Sequence, residues 1–185
     1  MHDGGVTAAA EELIVLVDDE GQAIGSMPKR LVHHGETPLH RAFSAYLFDD
    51  EGRLLVTRRA EGKATFPGMW TNTVCGHPGP GEDDAAAIAR RAAFELGLQV
   101  DELRPAVPGY RYRAEFRGVV EIEICPVYLG RFTGTPTPDP TEVGEWALVD
   151  WAAFRRRQQV EGDAWSPWCR EQARLIEDAG LVPVS

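Results

Sequence analysis

Short apolar runs that end in turn residues recur along this chain and predict a protein rich in β-strands. Polar turns at residues 18–21 and 49–52 and at Arg117-Gly118 each separate two such runs, so we expect three hairpins. The predicted strands cover residues 13–17, 23–27, 42–48, 54–57, 71–75, 107–116, 119–129 and 146–149.

Three further segments are typical of helices. The strongest covers residues 85–96, where alanine and arginine dominate between an acidic first turn and Gly97. The other two begin at Asp150 and at Ser166-Pro167 and run to about Gln159 and to Gly180. We therefore predict an α+β sandwich with a mixed β-sheet, a central helix and two C-terminal helices. It forms one domain over residues 13–185, after a disordered lead-in at residues 1–12.

Charge and composition narrow the range of partners. A net charge of −10 argues against nucleic-acid binding, although a local basic cluster can still bind a small phosphate ligand. No apolar run reaches the length of about 18 residues that a membrane span needs, and residues 1–12 lack the features of a signal peptide. The three cysteines, an odd number, fit a reduced cytoplasmic protein better than a disulfide framework.

A cysteine and a histidine lie two residues apart, at Cys75 and His77, just before a glycine- and proline-rich loop. If this segment is extended, both side chains lie on the same face and reach one site. The alternative is a cysteine buried in the core beside an exposed histidine. The spacing alone leaves both interpretations open.

Two glutamates, Glu121 and Glu123, share one face of a strictly alternating strand. That face is either an ordinary solvated surface or a site where a cation removes the repulsion between the two carboxylates. With His77 they form a plausible set of nitrogen and oxygen ligands that also includes His33, His34 and His40. Such ligands suit Zn, Mn or Fe.

Basic residues cluster in the loops near these groups and on the strongest helix. They are candidates for a diphosphate clamp, with ordinary surface charge as the alternative; they are Lys29, Arg58, Arg59, Lys63 and Arg91. Two tryptophans, Trp165 and Trp168, flank Ser166-Pro167. An indole face stabilises a carbocation, but packing explains a tryptophan equally well.

The strongest helix and its preceding loop resemble the Nudix box. Gly76, Glu82 and Arg90 have the spacing of that motif, and Glu95-Leu96-Gly97-Leu98 matches its end. At two positions of the motif, glutamates normally hold divalent ions. This chain has Arg91 and Phe94 at those positions. These departures argue against a Nudix-type diphosphate hydrolase, which is the alternative function. A second alternative is a catalytically silent module that binds a metal or a nucleotide.

The chain resembles one branch of the Nudix superfamily, the type I isopentenyl-diphosphate isomerases, from about Leu13 to the C-terminal helix. The segments that carry this resemblance are residues 54–60, 67–78, 110–113, 121–126 and 165–168. The resemblance implies a Nudix-like α/β/α sandwich. It also implies the interconversion of isopentenyl and dimethylallyl diphosphate in isoprenoid biosynthesis.

The resemblance also implies roles for individual residues. The catalytic residues would be Cys75, Glu123, Tyr112 and Trp168. One divalent ion, Mn²⁺ or Zn²⁺, would be held by His33, His40, His77, Glu121 and Glu123, with no counterpart for His34. Mg²⁺ would bind Glu95, the backbone of Cys75 and the substrate diphosphate. The substrate would contact Lys29, Arg59, Lys63 and Arg91. The resemblance implies no flavin, no nucleic acid and no membrane partner, and a monomer or weak homodimer.

The implied reaction requires an acid and a base on opposite sides of the substrate, because one carbon gains a proton and another loses one. Our hypothesis is that Glu123, with Tyr112, protonates the substrate and that Cys75 deprotonates it. The intermediate is a tertiary carbocation, so water must be kept out and an electron-rich neighbour is needed. Trp168 is the candidate for that neighbour.

Overall fold

The computed structural model describes residues 12–182. Within that range, four helices cover Lys29–Val32 (α1), Asp84–Leu96 (α2), Trp151–Glu161 (α3) and Pro167–Asp178 (α4), and Gly162–Ala164 forms a short 3₁₀ turn. The strands are Leu13–Val17 (β1), Ala23–Pro28 (β2), His40–Arg41 (β3), Phe43–Phe48 (β4), Leu54–Arg59 (β5), Trp70–Thr71 (β6), Val74–Gly76 (β7), Gln99–Val107 (β8), Arg111–Phe116 (β9), Val119–Ile124 (β10), Val127–Thr133 (β11) and Val143–Val149 (β12).

The strands form two sheets that are joined by two adjacent stretches of chain. The first sheet has the order β2-β1-β3-β10-β9, and the second has the order β12-β5-β4-β11-β8, with β6 beside β5 and β7 beside β4. Strand β3 continues into β4, and β10 continues into β11. The two continuous stretches run parallel in both sheets, which pairs His40 with Glu123 in the first sheet and Ser44 with Val127 in the second.

Helices cover both faces of the second sheet. On one face α2 packs its buried side chains, such as Ile88 and Leu96, against Phe43 and Leu47 of β4. On the other face α3 and α4 pack around Tyr46 of the same strand. Because side chains alternate along a strand, β4 contributes to both cores, and all six of its residues are buried. The predicted α/β/α sandwich is therefore confirmed.

The helix boundaries follow the capping residues that the sequence indicates. Asp83 accepts a hydrogen bond from the backbone of Ala86, and Gly97 ends α2 in the left-handed conformation at φ +68°. Asp150 caps α3 in the same way. Of the predicted lead-in, residues 1–11 lie outside the described range. Across residues 12–182, no helix has the length and apolar character that crossing a membrane requires.

Several strand predictions were wrong in their boundaries. The segment predicted as one strand over residues 107–116 is interrupted by a turn at Pro108-Gly109, and 119–129 breaks at Pro126, which has no amide proton to donate to a sheet. Residues 71–75 form two short strands separated by Asn72-Thr73, and the predicted loop at 28–38 contains α1. Strand β8 was not predicted, since its residues are mostly exposed and its pairing with β11 is irregular.

Substitution of Gly97 tests how the end of α2 is held. In Gly97→Ala an alanine would have to adopt the backbone angle φ +68°, and its new methyl group would collide with Thr137 Oγ1. We expect the free energy of unfolding to fall by about 1–2 kcal/mol in chemical denaturation. Gly25→Ala is the control, because a Cβ there meets nothing within 4 Å, and its effect should stay within about 0.5 kcal/mol. An equal loss in both variants would contradict this account.

Candidate active site

A cavity of about 550 Å³ lies beside the junction of the two sheets. It brings together side chains from β5, β7, β9, β10, α1, α2 and α4 that are distant in sequence. The predicted site residues that line it are Lys29, His33, Arg59, Lys63, Cys75, His77, Arg91, Tyr112, Glu121, Glu123 and Trp168. Glu95 lines a smaller adjoining cavity of about 20 Å³ together with Cys75.

Three histidines and one glutamate converge at one end of the large cavity. One ligand atom from each of His33, His40, His77 and Glu123 lies within 4.8 Å of the others. The ring centroids of the three histidines are 5.1–5.6 Å apart. His34, the fourth histidine considered from sequence, is exposed and accepts a hydrogen bond from the Glu36 amide instead. The structure therefore groups the three histidines that the resemblance implies.

The ring nitrogens of this cluster are prepared to bind a cation. His40 Nδ1 donates to the Pro38 carbonyl at 2.8 Å, so in the neutral ring Nε2 carries a lone pair. That Nε2 lies 3.3 Å from Glu123 Oε1, and two electron pairs at this distance require a proton or a metal ion between them. His33 Nε2 is also buried without a hydrogen-bond partner. These donors fit a divalent metal ion.

The electrostatics of the cluster favour the metal-binding forms of His33 and Glu123. Burial and the neighbouring imidazoles lower the pKa of His33 to about 3, so this ring is neutral at physiological pH. Burial raises the pKa of Glu123, but hydrogen bonds from His40 and His77 outweigh burial and hold it well below its usual range. A neutral imidazole and an ionised carboxylate are both competent metal ligands. For His40, burial lowers the pKa, but the hydrogen bond and the charge of Glu123 outweigh burial and raise it.

The second glutamate, Glu121, is buried beside Glu123 and shares a partner with it. The Tyr112 hydroxyl lies 2.8 Å from Glu121 Oε2 and 3.0 Å from Glu123 Oε2, so its single proton is offered to both carboxylates. Burial and the charge of Glu123 raise the pKa of Glu121. The solvated-surface interpretation of this strand face is wrong, since both carboxylates are buried. The four-residue cluster does not include Glu121, whose role as a metal ligand stays a prediction.

The thiol of Cys75 is held at the other side of the cavity. It donates to Asn72 Oδ1 at 3.1 Å and lies 3.4 Å from Ser44 Oγ, which in turn accepts from Gln172 Nε2 at 3.0 Å. Burial raises the pKa of this thiol to about 11, so it is protonated at neutral pH. The geometry therefore presents a neutral thiol with a fixed orientation.

The basic residues form the mouth of the cavity, and each has a partner. Lys29 pairs with Glu12 at 2.9 Å, and Arg59 donates to the Thr65 carbonyl. Lys63 Nζ donates to Glu142, and Arg91 Nε donates to Glu95 Oε1 at 2.9 Å. Arg58 lies outside the mouth, where it pairs with Glu61 and Glu145 on the surface.

The indole of Trp168 forms an aromatic wall of the cavity. Its ring lies 5.6 Å from Tyr112 and 5.0 Å from Phe66, between ring centroids. Ser166, at the start of the same helix, is attached to β6: its amide donates to the Trp70 carbonyl at 2.9 Å, and its hydroxyl lies 3.0 Å from Thr71 Oγ1. Trp165 has a packing role, since it is buried in the core.

Sequence reasoning missed the residues that hold the predicted ones in place. Asn72 and Ser44 orient the thiol, and Gln172 orients Ser44 from α4. Asn72 lies inside the segment that carries the family resemblance, which was the one available signal. Glu142 follows a Pro/Thr-rich connector, and no spacing or periodicity marks it.

Known proteins match this chain over most of its length. A NUDIX domain model matches residues 38–169. An isopentenyl-diphosphate Delta-isomerase of Mycolicibacterium vanbaalenii is 53% identical over 171 residues, which cover 92% of this chain and 94% of that protein. A protein of the same name from Frankia alni is 50% identical over 176 residues, which cover 95% of this chain and 91% of that protein.

Solved structures share the fold at low identity. A protein from Deinococcus radiodurans superposes with a TM-score of 0.67 at 21% identity, covering 88% of this chain and 98% of that one. The MutT protein from Methanosarcina mazei Go1 gives a TM-score of 0.62 at 18% identity, covering 78% of this chain and 97% of that one. At this level of identity the likeness shows the fold alone.

Removal of one imidazole tests the metal site. His77→Ala should weaken Mn²⁺ and Zn²⁺ binding by more than the roughly 10- to 100-fold loss that an outer-shell substitution causes. Isothermal titration of the metal-free protein measures this. His34→Ala removes the neighbouring exposed imidazole, and Cys75→Ala removes the thiol. Both should bind metal like the parent protein, and equal losses in all three variants would contradict the assignment.

Proposed function

This chain belongs to the isopentenyl-diphosphate Delta-isomerase family of Nudix domain proteins, and we propose that it interconverts isopentenyl diphosphate and dimethylallyl diphosphate. The observation that carries the proposal is the cavity itself. A thiol, a carboxylate–phenol pair and an indole line one cavity together with several basic side chains. Those are the groups that moving a carbon–carbon double bond requires.

The basic mouth suits the diphosphate end of the substrate. Lys29, Arg59, Lys63 and Arg91 present ammonium and guanidinium groups at the cavity, and guanidinium groups bind phosphate oxygens in pairs. Glu95, with the backbone of Cys75, would hold Mg²⁺ beside them. A bound Mg²⁺ neutralises diphosphate charge. The apolar end of the substrate then extends toward Trp168 and Tyr112.

The histidine cluster is proposed as the site of the second divalent ion, Mn²⁺ or Zn²⁺. His33, His40, His77 and Glu123 would bind it, and Glu121 would complete the set. This ion would fix the orientation of Glu123. The Nudix positions of Arg91 and Phe94 carry no carboxylate: Arg91 is paired with Glu95, and Phe94 is exposed with the Arg91 guanidinium 5.0 Å from its ring centroid. Isomerisation is therefore favoured over hydrolysis.

Proton transfer is assigned to the two sides of the cavity. In isopentenyl diphosphate, Glu123 with Tyr112 supplies a proton to the terminal methylene carbon. Cys75 then removes a proton from the methylene on the other side of the cationic carbon. The Cys75 thiolate gains this proton and becomes a thiol, and the Glu123 carboxylic acid loses one and becomes a carboxylate. A neutral thiol beside an ionised carboxylate is therefore the state after the forward transfer, and the state from which the reverse reaction begins.

Trp168 stabilises the carbocation between the two transfers. Its indole faces the cavity, and the aromatic side chains of Phe66 and Tyr112 pack around it. The electron-rich ring attracts a cation without offering a nucleophile, and the surrounding aromatic groups exclude water.

We propose a cytoplasmic location for the enzyme because of the state of its cysteines. Cys75, Cys125 and Cys169 are free thiols in the structure, as expected for a cytoplasmic protein. We propose that the protein acts on an isoprenoid diphosphate as a monomer or weak homodimer.

A direct assay tests this function. Purified protein loaded at the histidine site, with Mg²⁺ and isopentenyl diphosphate, should yield acid-labile dimethylallyl diphosphate. Cys75→Ala should lower kcat by at least about 10²-fold, since a general acid–base group is lost. Cys169→Ala is the matched control, because that thiol is buried in the core away from the cavity, and it should retain activity. Absence of product from the fully loaded protein, or release of phosphate instead, would refute the proposal.

Isotope exchange tests the assignment of acid and base. In D₂O, Cys75→Ala should still exchange the terminal methylene of isopentenyl diphosphate, because Glu123 protonates it reversibly. Glu123→Gln should still exchange dimethylallyl diphosphate at the carbon that Cys75 serves. Mass spectrometry of each recovered substrate measures both, with metal content determined in parallel. Equal loss of all exchange in the two variants would leave the assignment without support, and the opposite pattern would reverse it.

A further inference from the structure

Glu142 lines the cavity among the basic side chains, although the proposed chemistry gives it no role. It lies at the end of the connector before β12. Its carboxylate accepts from Lys63 Nζ, and its Oε2 lies 3.3 Å from Arg91 Nη2. Both cations are assigned to the substrate diphosphate. One carboxylate of the protein therefore contacts two of the groups that the diphosphate needs.

The backbone fixes this carboxylate in place. The Glu142 carbonyl accepts from the Ala60 amide at 3.0 Å, and its own amide donates to the Asp139 carbonyl at 3.0 Å. The amide of Asp139 in turn donates a hydrogen bond of 2.9 Å to the carbonyl of Glu95, near the end of α2. The Glu142 side chain is only 17% exposed. It is held at the mouth by the same helix that carries Arg91 and Glu95, and it is not a surface group that swings freely.

The charges of this part of the mouth cancel. Lys63 and Arg91 contribute two positive charges, while Glu95 and Glu142 contribute two negative charges at contact distance. Burial raises the pKa of Glu142, but its bond to Lys63 and the nearby Arg91 outweigh burial, so the carboxylate stays ionised. A diphosphate that enters alone meets two carboxylates together with the two cations. A diphosphate that enters with a divalent cation brings the charge that compensates them.

We propose that Glu142 is a positioning residue that makes diphosphate binding depend on the divalent cation. It does so by holding Lys63 and Arg91 while cancelling their attraction for a metal-free diphosphate. The inference rests on the proposed function, because it takes this mouth to be the diphosphate site. It predicts that removal of the negative charge at Glu142 strengthens the binding of diphosphate without Mg²⁺. The increase in diphosphate affinity that Mg²⁺ provides should then be smaller.

Titration with inorganic pyrophosphate, which cannot isomerise, tests this without any turnover. Protein loaded with Zn²⁺ at the histidine site is titrated with and without excess Mg²⁺, and its Zn²⁺ content is measured before and after. The variants are Glu142→Gln, which removes the charge, and Glu142→Asp, which keeps it. Glu145→Gln is the matched control, since it removes the same charge from an exposed position on β12 that pairs with Arg58.

The parent protein should bind pyrophosphate much more tightly with Mg²⁺ than without it. In Glu142→Gln, metal-free affinity should rise by about tenfold or more, because the repulsion of a nearby charge is lost, and the ratio of the two affinities should fall accordingly. Glu142→Asp and Glu145→Gln should keep the parent ratio. Thermal unfolding of each variant confirms that all four proteins are folded.

Two results would overturn the inference. If Glu142→Gln keeps the parent ratio, or binds metal-free pyrophosphate more weakly, then Glu142 does not set the cation dependence. If no form binds pyrophosphate even with Mg²⁺, then both the inference and the proposed diphosphate site fail. Parent binding with Mg²⁺ together with an unchanged ratio in Glu142→Gln removes the inference alone, so the two failures are distinguishable.

Discussion

The site depends on the parallel pairing of β3 with β10, which sets His40 opposite Glu123. These short strands belong to the two stretches of chain that pass from one sheet into the other, so the pairing is fixed by hydrogen bonds on both sides of the junction. Burying ionised carboxylates in this position is costly unless cationic or hydrogen-bonding partners surround them. The imidazoles and the Tyr112 hydroxyl supply those partners. The groups that are proposed to bind a cation therefore also stabilise the junction of the two sheets.

The cavity combines two electrostatic environments that usually exclude each other. Its mouth carries paired charges from Lys63, Arg91, Glu95 and Glu142, whereas its interior wall is aromatic around Trp168. A diphosphate with a short hydrocarbon tail has the same division. The polar end gains from strong local fields, and the reacting carbons gain from a surrounding that stabilises positive charge without hydrating it. The proposed function therefore separates recognition of the diphosphate from the chemistry of the tail along the length of one ligand.

The sequence predicts those parts of the molecule whose signal is local. Asp83, Gly97 and Asp150 mark helix ends because capping depends on neighbouring residues, and the alternation around Glu121 and Glu123 places both on one face. Strand β8 has no such periodicity, because its irregular pairing and exposure are decided by β11. The roles of Asn72 and Glu142 could not be predicted from sequence for a related reason, since both residues act through contacts with segments far away in the chain. The family resemblance supplied the ligand set, which no spacing rule yields.

The hydrogen bonds between Ser166 and β6 link two parts of the proposed site. The amide and hydroxyl of this residue join the first turn of α4 to Trp70 and Thr71. The thiol of Cys75 follows four residues after Thr71, on β7. The start of α4, which carries the indole, is therefore hydrogen-bonded to the same short segment of chain that leads to the thiol. Under the proposed function, the position of the indole relative to the thiol would therefore be set by these hydrogen bonds.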